Sequence, residues 1–105
     1  MSLLKRLRIR KDVSNFLKEK TQRFTFNFKL FLFGSILKNK KTLNDVDILI
    51  VYSLLEKTMI EEIDKLKLDF ENYFKTNLDV TILSYNELKE TQLLRKIKKY
   101  KLIKC

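Results

Sequence analysis

Residues 31–51 read FLFGSILKNKKTLNDVDILIV. An apolar run stops at Gly34-Ser35, the only glycine in the chain followed by a serine. After nine intervening residues, Ile36 to Asn44, Asp45-Val46-Asp47 opens a second apolar run that continues to Tyr52. Upstream, Phe-Asn-Phe-Lys-Leu-Phe-Leu-Phe over 26–33 alternates at first and then becomes wholly apolar. That pattern predicts a strand running into a buried centre. Residues 46–52 carry the strongest strand signal in the sequence. Between the two strands, residues 36–44 turn polar and lysine-rich after Ile36 and Leu37, which predicts a short helical turn and then a loop.

Working outward, residues 3–20 predict a helix, with Val13, Phe16 and Leu17 at i, i+3 and i+4. Residues 54–75 predict another. Leu55, Met59, Ile63, Leu66, Phe70 and Tyr73/Phe74 fall on one apolar stripe, and Ser53 with Glu56 has the spacing of a capping box. A third strand is expected over 78–83. Ser84 with Glu87 forms a second capping box, opening a last helix over 84–101. Tyr52, Tyr73 and the phenylalanines of the first strand are assigned to the core. The expected fold class is α/β (α+β): a small mixed sheet of at least three strands with helices packed on it. A fourth strand would come from a terminus or a partner. One domain over 1–105 is expected.

The composition excludes much. The 105 residues include no His and a single Cys, Cys105, so a structural zinc site, a Ser-His-Asp triad and an internal disulfide all lack their parts. One glycine is too few for a dinucleotide fingerprint or a Walker loop. No apolar stretch is long enough to span a bilayer, and the first ten residues interleave charge with apolar side chains, so no secretory signal is expected. A reducing, cytoplasmic location follows as the expectation. Net charge is +10, with +6 in residues 1–23, −1 in 24–83 and +5 in 84–105. Such charge runs are ordinarily solvated faces; the sharper reading is a surface for a polyanion or an acidic partner. Aromatic interleaving in the basic ends is thin, at Phe16, Tyr85 and Tyr100.

The chemistry resides in one constellation. Asp45 and Asp47 point to the same side of a strand, with α-carbons about 6.5 Å apart. Asp79 follows on the third strand and joins them if that strand pairs beside the second. Three carboxylates together repel one another, and a divalent cation compensates them; oxygen-only ligands select Mg²⁺ or Mn²⁺. Gly34 allows a sharp turn and close approach of a phosphate, while the amides opening the next helical turn and the Ser35 hydroxyl supply donors. A phosphate cradle beside such a metal site equips a protein for phosphoryl or nucleotidyl transfer. Gly-Ser, Asp-x-Asp and a lone strand aspartate are each common; their order and spacing together carry the specificity.

The run from Phe31 to Ser35 and that from Asp45 to Val51 resemble the signature of the polymerase-beta-like nucleotidyltransferase superfamily, and the small size resembles its minimal nucleotidyltransferase branch. The resemblance spans residues 26–83. It implies a polymerase-beta-like core and a nucleoside triphosphate substrate such as ATP. Two Mg²⁺ would sit on Asp45 and Asp47, Gly34 and Ser35 on the triphosphate, and Asp79 would complete the metal site and activate the attacking hydroxyl. Where that branch carries a small residue, an arginine and a glycine, this chain has Leu37, Lys38 and Asn39. Lys38 keeps a cation for the nucleotide without the guanidinium fork. Minimal nucleotidyltransferases are often paired with a helical HEPN-type protein in toxin–antitoxin systems, and the resemblance implies transfer of AMP to a tyrosine of that toxin. Two other readings stand beside it. One is a non-catalytic, partner-binding protein of this fold; the other is an RNA-end nucleotidyltransferase that uses the basic termini.

Overall fold

The computed structural model describes residues 3–37, 45–97 and 99–104. Helix α1 (Leu3–Thr21) leads into strand β1 (Phe28–Phe33), which passes directly into a 3-10 helix over Gly34–Leu37. Then come β2 (Asp45–Tyr52), α2 (Met59–Phe74), β3 (Asn77–Ser84), two short helices α3 (Tyr85–Thr91) and α4 (Leu93–Ile97), and β4 (Tyr100–Lys104). The strands form one mixed sheet in the order β3-β2-β1-β4. β1 runs antiparallel to both β2 and β4, whereas β2 and β3 are parallel.

Strand alternation sorts the residues of this sheet onto two faces. Leu30, Leu32, Val46, Ile48, Ile50 and Leu78 face one way and bury against Val13 and Leu17 of α1 and Met59, Ile63, Leu66 and Phe70 of α2. Phe31, Leu49 and Val51 face the other way, under Leu83, Leu88, Leu93 and Leu94. Both faces of the central strands are therefore apolar, and Ile48 to Val51 are fully buried, as the unbroken apolar run of β2 requires.

Three sequence expectations are corrected. The helix expected from residue 54 begins at Met59, and Ser53 with Glu56 does not cap it. Thr58 holds the cap position without a side-chain bond. Leu55, placed on the core stripe, is 72% exposed, and Tyr73, assigned to the core, is 70% exposed. The helix expected over 84–101 is two short helices and a strand. Gln92 breaks it in a left-handed conformation at φ 52°, and residues 100–104 pair with the free edge of β1. The fourth strand thus comes from the C-terminal segment. The capping box of Ser84 and Glu87 is formed in full, at 3.1 Å and 3.0 Å.

Candidate active site

Gly34 follows the last residue of β1, and Asp45 is the first residue of β2. Asp47 lies opposite Phe33 in the antiparallel β1–β2 ladder and opposite Asp79 in the parallel β2–β3 ladder. Register partners project to the same side of a sheet, and neighbouring strands lie about 4.8 Å apart. Asp47 and Asp79 are thus lateral neighbours, with Asp45 one alternation step away on the same face. Their odd-numbered face is the one that α3 and α4 cover further along the strands. Asp45 and Asp79 are exposed and Asp47 is half-buried, so this end of the face is open.

Gly34 adopts φ +86°, a conformation that a side chain disfavours. A β-carbon built there would overlap the Asp47 carboxylate, 2.9 Å from its Cγ and 3.1 Å from its Cβ. The glycine therefore does more than turn the chain: it leaves the space in which the Asp47 side chain lies. The turn beyond it is anchored from two directions. Ile36 and Leu37 are buried in the core, and Arg10 of α1 donates from Nε to the Ile36 carbonyl at 3.3 Å. Arg10 had no sequence signal: it is one of eight cations in the first 23 residues and lies 26 positions from its acceptor.

A second positioning device sets the level of β3. Lys67 bonds Glu71 Oε2 at 2.9 Å, Asn77 Oδ1 at 3.3 Å and the Leu78 carbonyl; Glu71 accepts from the Leu78 amide at 2.9 Å. The bond from Lys67 and then that from the Leu78 amide hold the Glu71 carboxyl below its ordinary value, against a smaller opposing effect of desolvation. This clamp joins α2 to the residue immediately before Asp79. Its i,i+4 spacing is visible in the sequence, but its grip on β3 is not.

The donor set of Asp45, Asp47 and Asp79 is all carboxylate, which suits a hard divalent cation, and the Asp47 carboxylate lies against Gly34. Among the described residues no three His, Cys, Asp or Glu side chains are gathered closely enough to hold a metal ion as they stand. The register thus gives the three aspartates one face without gathering them into a metal site, which corrects the expected convergence of the three. Lys38, expected at the nucleotide, and Asn39 lie outside the described residues, and of Ser35 the backbone alone is described, in the 3-10 helix.

The sequence model of the family described as "Polymerase beta, Nucleotidyltransferase" matches residues 7–105. The chain belongs to this nucleotidyltransferase family. Among solved structures, a protein from Sulfolobus solfataricus classed as a nucleotidyltransferase is similar at a TM-score of 0.53 and 18% identity, over 92% of this chain and 80% of that one. A second structure in the same class aligns at 24% identity over 88% and 94% of the two chains, with a TM-score of 0.41. No curated protein matches the sequence. The mixed sheet and its helices agree with the fold expected from the sequence, and no helix among the described residues is long and apolar enough to cross a membrane.

Proposed function

We propose that the protein is a Mg²⁺-dependent nucleotidyltransferase that moves a nucleoside monophosphate, AMP in the leading reading, from a triphosphate to a hydroxyl of a partner protein. The observation that carries this reading is the register Asp47↔Asp79, with Asp45 on the same strand face and Gly34 against Asp47. In the reaction the acceptor oxygen bonds to the α-phosphorus, the bond from that phosphorus to the bridging oxygen breaks, and pyrophosphate leaves. Asp79, beside Asp47 and exposed, accepts the hydroxyl proton. The amides of the turn after Gly34 hold the phosphates, and the Ser35 hydroxyl adds a donor. Asp45, Asp47 and Asp79 would hold Mg²⁺, which would supply neutralisation of the phosphate charge.

The acceptor is the finer part of the proposal. The carboxylate end of the face is open, which suits an acceptor delivered in line by another chain. The family resemblance favours a helical HEPN-type toxin, with this protein as its antitoxin. The test is mass spectrometry of the candidate partner after incubation with ATP and Mg²⁺, using parent enzyme and Asp45→Asn/Asp47→Asn. One AMP increment on the partner with the parent alone is expected. An unmodified partner, alongside labelled RNA in the same mixture, would instead establish the RNA-end reading, which the basic termini favour.

A further inference from the structure

At the far end of the strands from the aspartates lies a cavity of about 310 Å³. Among the described residues its lining includes Phe24, Asn27, Phe28, Lys29, Tyr85 and Lys104, and no Asp or Glu side chain. Phe28 begins the six-residue β1 and Gly34 follows its end, so about 20 Å of strand separates the two places. The C-terminal basic end of the chain, which looks poor in aromatics along the sequence, is here brought through Tyr85 and Lys104 against a phenylalanine cluster. Phe24 and Phe28 lie 5.0 Å apart between ring centres. Lys104 sits 5.8 Å from the Phe28 centroid and Lys29 5.7 Å from that of Tyr85. Each ammonium is thus held near an aromatic ring, which limits the freedom it would lose on meeting an anion.

We propose that this cavity binds a nucleoside phosphate, either as a free nucleotide or as one unit of single-stranded RNA. Phe24 and Tyr85, both half-buried, offer ring surface on which a base stacks. Asn27, exposed, offers an amide to a base edge, and Lys104 on the Phe28 side or Lys29 on the Tyr85 side takes the phosphate. A cavity of this volume is at the lower end of those that enclose small ligands, which suits one nucleotide. The two lysines favour an anion, and the aromatic wall selects one that carries a planar ring. The proposal is independent of catalysis, because it uses neither the aspartates nor a metal.

The experiment is a titration of the full chain followed by amide NMR, in EDTA so that metal-dependent binding at the aspartates is suppressed. The probes are AMP and an oligoadenylate 8-mer, with polyglutamate as the anion that has no rings. Both nucleotide probes are expected to shift the amides of residues 24–29, Tyr85 and Lys104. If the 8-mer alone shifts them, the source is single-stranded RNA; if AMP shifts them as strongly, a free nucleotide suffices. Lys29→Gln/Lys104→Gln should weaken binding at least ten-fold with unchanged thermal stability, and should flatten its salt dependence. Tyr85→Leu, which keeps apolar bulk, should weaken both nucleotide probes. The proposal is overturned if neither nucleotide probe shifts these amides. Equal shifts with polyglutamate, or variants that bind as the parent does, would overturn it as well.

Discussion

A methyl group at position 34 would meet the Asp47 carboxylate before it met any substrate. Gly34→Ala is therefore expected to cost about 1–3 kcal/mol from backbone strain at positive φ, read by urea denaturation. It should also abolish transfer, because Asp47 must move aside. Of the other site residues, Asp79 is the most informative. If the three aspartates close on one ion, Mg²⁺ should raise the melting temperature of the parent, and Asp79→Asn should remove most of that rise while leaving the circular dichroism spectrum unchanged. A spectrum-neutral variant that still gains the full Mg²⁺ increment would exclude Asp79 from the metal site. The places of Gly34, Asp45 and Asp47 at strand ends were legible in the sequence because they rest on local spacing and strand parity, whereas the place of Asp79 beside Asp47 rests on the parallel pairing of β2 and β3, on which the sequence reading was conditional. The reason the glycine is needed was not legible. It depends on Phe33 lying opposite Asp47, a pairing set by tertiary register rather than by any neighbour in sequence.

Element boundaries failed where tertiary contacts overrode a sound local signal. Ser53 and Glu56 have capping-box spacing, yet α2 starts only at Met59. There Glu62 accepts from the Thr25 amide and hydroxyl, at 3.3 Å and 2.9 Å, so the first turn is tied to the segment that precedes β1. The break at Gln92 was invisible because neither glycine nor proline marks it. Ser84 and Glu87, by contrast, were readable because all their bonds lie within one turn. The clamp on β3 makes a pH-dependent prediction. Glu71 has its pKa lowered in the folded state, chiefly by Lys67, so its contribution to stability is present above the ordinary glutamate range. It is lost as pH falls through the folded value. Denaturation of parent and Glu71→Gln should differ at neutral pH and converge in acid. A gap that widens in acid would reverse the assigned sign.

Taken whole, the molecule is a sheet whose middle strands are buried on both faces while its outer strands are not. β4 contributes one buried side chain, Ile103, at 6% exposure, beside Tyr100 and Leu102 at 44% and 45%. Tyr100 meets the ring of Phe31 edge-on at 5.5 Å. Ile103→Ala should cost about 2–4 kcal/mol if the cavity it leaves stays open, measured as a shift in the urea midpoint. Because β4 pairs with β1 and not with β2 or β3, metal-dependent stabilisation of the folded variant should survive. Loss of both together would mean that the two halves of the sheet are not energetically separable. The same arrangement bears on how the chain reaches its native state during synthesis. Leu30 finds its partner Lys104 only after 74 further residues have been made. Strands β1 to β3 can associate before then, leaving the Phe28–Phe33 edge without its second ladder. That edge is apolar and open to pairing with another nascent chain, so β4, the last of these four strands to emerge, also ends the period of greatest aggregation risk.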